Sequence, residues 1–226
     1  MKYSKEEKRQ LVDSYNSWWH SIDFGDGVIS KGRKTNIQGM LEELNSWSLN
    51  EASLFKNKTV LDIGAWDGYY SFHAERSGAS SVSALDGFIW LDKSWGSKTG
   101  FDISKKIFNS NVNEIVQDVM DMTPETTGTY DFIICAGVLY HLHNPMLALE
   151  LISRLLNPGG SLFIETTCAR VTSSSPIMEY HPSDSLDGDK SNFWSMNTDC
   201  LKYMLIDSGS ILMKFRCIFR SLGIFG

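Results

Sequence analysis

The run from Thr59 to Tyr70 constrains the fold of this chain most, because strand, glycine turn and helix patterns follow one another within it. The apolar run TVLDI predicts a buried strand that ends at Gly64. A turn with a second glycine, Gly68, follows, and Tyr69–Arg76 has the pattern of a helix. In open α/β sheets, ligands bind beyond the carboxyl ends of the strands. The sequence therefore predicts a ligand site at residues 64–68.

Strand and helix patterns continue to alternate after this unit, with short connections between them. This alternation predicts a mostly parallel, twisted sheet with helices on both faces, which is an α/β Rossmann-like fold. The further strands are predicted at Ser81–Leu85, 114–117, 130–135 and 161–165, the helices at 103–108 and 146–156, and a turn at 157–160.

The two ends of the chain lie outside this alternation. We predict a helical extension or lid over residues 1–50 and a single compact domain over residues 51–226. The extension contains two predicted helices, at 5–19 with Leu11, Tyr15, Trp18 and Trp19 on one face, and at 37–47. Near the other end we predict a polar surface loop at 172–192, a helix at 198–208 and a strand at 211–219, which leaves the C-terminal strands abbreviated.

Charge and composition narrow the class of partner. The chain has 21 Lys and Arg against 27 Asp and Glu, a formal net charge of -6. Nucleic-acid binders more often carry a positive excess, so this balance favours a small-molecule acceptor and leaves tRNA as the less favoured alternative. The four cysteines form no C-x-x-C pair, which predicts reduced thiols, no metal site and a cytoplasmic protein. The chain contains no run of about 20 apolar residues, so the sequence predicts no membrane span.

Acidic residues around the glycine turn indicate which cofactor it binds. Asp86 ends the second predicted strand, 18 residues past Gly68, where a carboxylate can accept from ribose hydroxyls. Asp67 places negative charge where a dinucleotide would put its pyrophosphate. S-adenosylmethionine has no phosphate and carries a sulfonium and an ammonium group, so it suits this turn better. Asp62 is predicted either to meet that ammonium or to hold the glycine loop in place.

Other residues after the predicted strands complete the expected site. Asp118 is placed to accept from the adenine amine, with the Val119 amide meeting a ring nitrogen. His141 is a candidate general base if the acceptor bears a proton, and the alternative is that it packs against backbone. The segment after the fourth strand is expected to line the same crevice near the methyl group, through Ala136, Gly137 and Tyr140. Aromatic faces that would favour the sulfonium cation are those of Trp66, Tyr69 and Tyr140.

Three stretches of this chain carry a family resemblance. They are IDFGDG with the later Lys31-Gly32, then LDIGAWDGYYSF, then GVLYHLHNP. Together they resemble the methyltransferase type 9 group of class I S-adenosylmethionine-dependent methyltransferases, which includes the tRNA wobble-uridine 5-oxyacetate carboxymethyltransferase. The resemblance covers roughly residues 15–210 in the order of the family.

The resemblance implies roles at matched positions. Gly64 matches the glycine that contacts the methionine part of the cofactor, and Ala65, Trp66 and Gly68 belong to the same turn. Lys31 resembles the lysine directed at the extra carboxylate of carboxy-S-adenosylmethionine. The remaining matches are Asp86, Gly87 and Phe88 to the ribose segment, Asp118 and Val119 to the adenine pair, and Ala136 and Tyr140 to the loop after the fourth strand. An arginine that the carboxymethyltransferase uses in a longer C-terminal part has no placed equivalent here, which favours plain S-adenosylmethionine as the cofactor.

Three functions remain open on the sequence. The first is methyl transfer to a small molecule or sugar-like metabolite, with His141 and Tyr140 as the candidate catalytic residues. The second is a tRNA carboxymethyltransferase-like activity. The third is a non-catalytic partner subunit with a methyltransferase fold.

Overall fold

The structure is a computed structural model that describes residues 2–34, 54–91, 96–169, 171, 173 and 175–209. The predicted helix at 37–47, the predicted domain boundary near residue 50 and the predicted strand at 211–219 lie outside the described residues.

Five strands form the central sheet in the order β3-β2-β1-β4-β5. The pairing of β1 with β2, of β1 with β4 and of β2 with β3 is parallel. Four of the five residues of β1 are buried, as expected for a strand covered on both faces. The predicted Rossmann-like α/β fold class is therefore confirmed. The strands of this sheet are β1 Thr59–Ile63, β2 Ser81–Leu85, β3 Asn113–Ile115, β4 Tyr130–Ala136 and β5 Leu156–Glu165.

The helices follow the predicted alternation in the described part of the chain. Tyr70, Phe72 and Ala74 of the helix after β1 are buried, and that helix packs against β1 and β2. Two 3-10 turns, Val119–Asp121 and Leu139–His141, follow β3 and β4. The helices are α1 Lys5–Asp13, α2 Tyr69–Arg76, α3 Phe88–Leu91, α4 Thr99–Phe108, α5 Pro124–Thr127, α6 Pro145–Arg154 and α7 Thr198–Asp207.

The first helix is shorter than predicted. α1 begins at a capping box of Ser4 and Glu7 and ends at Asp13 instead of residue 19. The indole N–H of Trp18 donates to the Val12 carbonyl at 3.1 Å, so the chain folds back onto the end of the helix. Trp18 is 2% exposed and Trp19 lies beyond the helix. The prediction that these two tryptophans continue one helical face is wrong, because tertiary packing ends the helix earlier.

Two predictions near the C-terminal half also need correction. The predicted turn at 157–160 lies inside β5, where Gly159 takes a positive φ of 78°. β5 is the last strand in the sheet order, and an edge strand tolerates a proline such as Pro158. The predicted loop at 172–192 contains the short strand β6, Met178–Tyr180, which pairs antiparallel with β7, Trp194–Met196.

The N-terminal segment is packed against α4, through buried side chains that α1 and the following residues contribute. Lys8 is 4% exposed, and its ammonium donates to the Phe24 carbonyl at 3.0 Å and to Asp26 at 2.7 Å. These bonds satisfy a cation that burial alone would disfavour. The apolar cluster consists of Val12, Trp18, Ile22, Phe24, Val28, Ile103 and Ile107.

The chain divides into two compact units. One comprises Met1–Cys135 and Leu155–Phe163, and the other comprises Ala136–Arg154 and Ile164–Gly226. Within the second unit, α6 packs against α7. Among the described residues, every helix is too short or too polar to cross a membrane.

Candidate functional site

The glycine turn between β1 and α2 has a backbone path that demands glycine at its end. The amides of Gly64 and Ala65 donate to the Leu85 carbonyl of β2 at 2.8 and 3.1 Å. Gly64, Trp66 and Gly68 take positive φ values of 74°, 49° and 82°. A Cβ on Gly68 would lie 2.3 Å from the Phe72 ring, so a side chain is excluded there. The turn is therefore held close to the carboxyl ends of β1 and β2.

Asp86 connects this turn to α3. Its carboxylate accepts the Trp66 amide at 3.0 Å and the Ile89 amide at 2.8 Å, and burial raises the pKa of the carboxyl. The backbone amides of Phe88 and Trp90 also act on this carboxylate. A ribose hydroxyl would therefore share the acceptor positions of Asp86 with backbone donors. Gly87 lies against the segment that follows β3, since a Cβ there would be 2.5 Å from the Gln117 carbonyl oxygen, and the neighbouring Phe88 is exposed.

Asp118 and Val119 lie at the same edge of the sheet. A Cβ on Gly87 would be 2.8 Å from the Asp118 amide nitrogen, which places the two predicted cofactor segments side by side. The Asp118 carboxylate is exposed and accepts the Met120 amide at 2.8 Å, which caps the first 3-10 turn, while Val119 is buried. The structure thus brings together residues 64–68, 86–88 and 118–119.

Asp62 is buried in β1 beside α2. Ser71 Oγ donates to its carboxylate at 2.5 Å. Burial, with smaller contributions from the charges of Asp86 and Asp67, raises the pKa of Asp62 to about 7 despite the lowering effect of the bond from Ser71. This bond from Ser71 holds α2 to β1. It differs from the predicted role in which Asp62 would hold the glycine loop through backbone amides.

The raised pKa of Asp62 predicts how stability depends on pH. The unfolded carboxyl loses its proton near pH 4 and the folded one near pH 7, so this group makes the protein less stable as the pH rises between those values. Between pH 4.5 and pH 7.5 this carboxyl lowers the free energy of unfolding by roughly 2–4 kcal/mol, and we expect Asp62→Asn to abolish that contribution. Urea unfolding of both proteins at pH 4.5 and pH 7.5 measures it. A wild-type-minus-variant difference that is the same at both pH values would contradict this pKa.

Asp67 does not carry the role that the sequence suggested. Its side chain is fully buried, and its carboxylate accepts the backbone amides of Trp19 at 3.0 Å and His20 at 2.8 Å and a bond from His20 Nδ1. The carboxylate of Asp67 is therefore occupied by the amides of Trp19 and His20 and by the His20 ring. The predicted repulsion of a pyrophosphate by Asp67 is not supported, because this side chain does not face a ligand site. The carboxylates that remain beside the turn are Asp86 and Asp62.

Aromatic residues contact the same turn. The Trp19 and Trp66 rings stack with centroids 4.6 Å apart, and the Trp90 indole N–H donates to the Trp66 carbonyl at 2.7 Å. Tyr69 follows at the start of α2, where its ring stacks against His20 at 5.4 Å. Lys31 is exposed in the N-terminal segment. The pairing of Trp19-His20 with Trp66-Asp67 was not predicted, since no local pattern in the sequence joins segments so far apart.

Tyr140 and Gly137 lie in the second unit, in the segment that follows β4. The Gly137 amide donates to the Glu165 carbonyl at 3.0 Å, and a Cβ on Gly137 would lie 3.6 Å from Glu165 Oε2 and 3.9 Å from the Tyr140 hydroxyl. Burial, with the carboxylates of Glu165, Asp189 and Asp187, raises the pKa of Tyr140. The phenol is therefore protonated at neutral pH. Ala136, the last residue of β4, is partly buried.

His141 has a defined set of partners in the second unit. Its Nδ1 lies 2.9 Å from the Ser191 carbonyl oxygen and 3.1 Å from Ser191 Oγ. Its ring lies 4.1 Å from the Tyr140 ring between centroids. Burial lowers the pKa of His141, which favours the neutral imidazole at neutral pH. Neither Ser191 nor Asp189 could be predicted, since both lie in a polar stretch without a periodic pattern.

Comparison with known proteins identifies the family of this chain. A family model described as a methyltransferase domain matches residues 32–199, more than half of the chain. A tRNA U34 carboxymethyltransferase of Helicobacter pylori (strain HPAG1) is 33% identical over 122 residues, which cover 53% of this chain and 45% of that protein. The enzyme of the same name from Helicobacter acinonychis (strain Sheeba) is 30% identical over 135 residues, 59% of this chain and 50% of that protein. The matches thus span about half the length of these curated relatives.

Solved structures share the fold. The N-terminal domain of EvdMO1, crystallised with SAH bound, gives a TM-score of 0.66 at 16% identity and covers 91% of this chain and 87% of that one. An S-adenosylmethionine-dependent methyltransferase structure from Listeria monocytogenes, described as putative in its own name, gives 0.53 at 16% identity and covers 76% and 84%. The family match, together with the sheet order and the glycine turn, confirms the predicted resemblance. The chain belongs to the methyltransferase domain family, as a class I S-adenosylmethionine-dependent methyltransferase.

Proposed function

We propose that this chain transfers the methyl group of plain S-adenosylmethionine to a small-molecule acceptor. The observation that carries the proposal is the convergence of the glycine turn, Asp86 and Asp118 at the carboxyl edge of β1, β2 and β3. This is the edge where open α/β sheets bind nucleosides. Methyl transfer needs mainly alignment of acceptor, methyl carbon and sulfur, because the sulfonium leaving group is already activated.

Each predicted contact has a place in this proposal. Asp118 and Val119 bind adenine, Asp86 with Gly87 and Phe88 binds the ribose, and the glycine turn with Asp62 and Trp66 meets the methionine part. Ala136, Gly137 and Tyr140 contribute from the segment after β4, and His141 is the general base. Residues 1–50 form an extension of the domain made by residues 51–226, and Lys31 binds a carboxylate of cofactor or acceptor.

The surroundings of Tyr140 favour the uncarboxylated cofactor. Glu165, Asp187 and Asp189 all act on the phenol as negative charges. A second carboxylate on the cofactor would be repelled by them if it docked at Tyr140. The alternative activity, carboxymethyl transfer to tRNA, is supported by the names of the relatives that are 30% and 33% identical. The net charge of -6 weighs against tRNA as the partner.

Asp86→Ala tests the cofactor site. We expect the dissociation constant for S-adenosylmethionine to rise about 5- to 150-fold, because loss of a charged hydrogen-bond acceptor costs about 1–3 kcal/mol. Calorimetric titration measures it, and Asp121→Ala, which removes an exposed carboxylate from the neighbouring 3-10 turn, is the control. Equal affinity in Asp86→Ala and wild type would remove Asp86 from the site.

Transfer of a labelled methyl group separates the two candidate activities. The acceptor panel contains D-fucose, the sugar present in one crystal of the EvdMO1 domain, other sugars and phenols, and unmodified tRNA. Label in a small molecule supports the proposal. Label in tRNA only, and only from the carboxylated cofactor, would replace it with the alternative.

A further inference from the structure

Three polar residues of the second unit, Asp189, Ser191 and His141, are joined in series by hydrogen bonds. The Asp189 carboxylate accepts the Ser191 amide at 2.8 Å and the Ser191 hydroxyl at 2.7 Å, both on Oδ1. Ser191 in turn meets His141 Nδ1 with its carbonyl oxygen and its hydroxyl. Asp189 therefore holds Ser191 in place, and Ser191 in turn orients the imidazole of His141.

The chemistry of a carbonyl oxygen decides which imidazole nitrogen carries the proton. A backbone carbonyl can only accept a hydrogen bond, so His141 Nδ1 must be the donor at 2.9 Å. The Ser191 hydroxyl gives its own proton to Asp189 and is left to accept from the same Nδ1–H. In the neutral ring the lone pair is then on Nε2. The arrangement is the one by which a histidine base is oriented through its other nitrogen.

We propose, on the basis of the proposed methyl transfer, that Asp189 and Ser191 are positioning residues that hold the His141 Nε2 lone pair ready to deprotonate an uncharged hydroxyl acceptor. In that step the acceptor O–H bond breaks and its proton goes to Nε2. The acceptor oxygen forms a bond to the methyl carbon as the bond from carbon to sulfur breaks. The products are a methyl ether, the neutral thioether and an imidazolium that returns its proton to solvent.

The charges that act on His141 fit this acceptor class. Asp189 and Glu165 both favour the protonated ring, so they stabilise the imidazolium that the step creates. Burial acts in the opposite direction and favours the neutral base before the reaction. The same two carboxylates, with Asp187 near Tyr140, would repel an anionic acceptor. An uncharged hydroxyl avoids that repulsion and still has a proton to lose.

The imidazole tautomer is read directly by nitrogen-15 NMR of histidine-labelled protein. The chain has five histidines, and His141→Gln identifies the signal of His141. At pH 7.5 we expect wild type and Asp189→Asn to show a protonated Nδ1 and an unprotonated Nε2, because the asparagine oxygen still accepts from Ser191. Asp189→Ala is expected to show a mixture of tautomers, and Asp184→Ala, which removes an exposed carboxylate of the same loop, to match wild type. An Nε2–H tautomer or an imidazolium in wild type would overturn the proposal.

Kinetics with an acceptor from the labelled-methyl panel provide the second readout. Asp189→Ala should lower kcat by about 10- to 100-fold with the KM for S-adenosylmethionine within about twofold, and Asp189→Asn should restore most of the rate. Equal loss in Asp184→Ala, or methyl transfer only to acceptors without a hydroxyl proton, would contradict it. Because the tautomer is measured without cofactor or acceptor, its failure is distinct from a failure of S-adenosylmethionine to bind.

Discussion

Replacement of Asp67 by alanine is expected to destabilise the fold by about 3–5 kcal/mol, because each buried donor that loses its acceptor costs about 1–3 kcal/mol. The carboxylate is fully buried and satisfies two backbone amides and the imidazole of His20. Without it, the Trp19 and His20 amides lose their acceptor inside the protein. Urea unfolding monitored by far-UV circular dichroism measures the change.

An exposed ion pair provides the matched control for Asp67. Asp102 pairs with Lys98 at 2.5 Å, but its side chain is 56% exposed. Asp102→Ala is expected to cost at most about 1 kcal/mol, because solvent screens such pairs. If Asp67→Ala costs no more than Asp102→Ala, the N-terminal segment is not held to the glycine turn as the structure describes.

Gly68→Ala is expected to destabilise the fold by about 2–5 kcal/mol and to abolish cofactor binding. The left-handed backbone costs a non-glycine residue about 1–2 kcal/mol, and overpacking against Phe72 and Phe101 adds about 1–3 kcal/mol. The contact distances from the added Cβ are 2.3 Å and 2.7 Å. The Phe72 and Phe101 rings are themselves fully buried and have no room to move. Relief of this clash therefore moves the turn and displaces Gly64–Gly68 from the end of β1.

Gly27→Ala separates the two causes. Gly27 has a φ of 72°, and a Cβ there would meet nothing within 4 Å. It therefore incurs the backbone cost alone, and we expect about 1–2 kcal/mol with S-adenosylmethionine binding retained. Thermal unfolding and calorimetric titration of both variants make the comparison. Gly68→Ala that binds the cofactor as wild type does would contradict the described turn.

The elements around the glycine turn were predictable because their signals are local. The apolar run of β1, the glycines and the helix pattern of α2 occur in continuous sequence, and each was confirmed at its predicted bounds or within one residue. The edge of the sheet then follows from topology, since parallel strands end together. The proximity of Gly64, Asp86 and Asp118 could therefore be predicted from the sequence without knowledge of any contact.

Contacts between distant segments were not predictable in the same way. Asp67 was expected to face a ligand, but its carboxylate accepts the amides of His20 and Trp19, which lie 47 and 48 residues away in the sequence. Ser191 meets His141 across 50 residues and lies in a stretch with no periodic pattern. The first helix was predicted too long for the same reason, because Trp18 packs back onto Val12 instead of continuing the helical face.

The most direct test of the account is a competitive calorimetric titration of the purified chain with S-adenosylmethionine, carboxy-S-adenosylmethionine and NAD. We expect a dissociation constant in the micromolar range for S-adenosylmethionine, at least about tenfold weaker binding of the carboxylated form, and no measurable heat with NAD. Binding of NAD with no response to S-adenosylmethionine would contradict the proposed use of the glycine turn and Asp86.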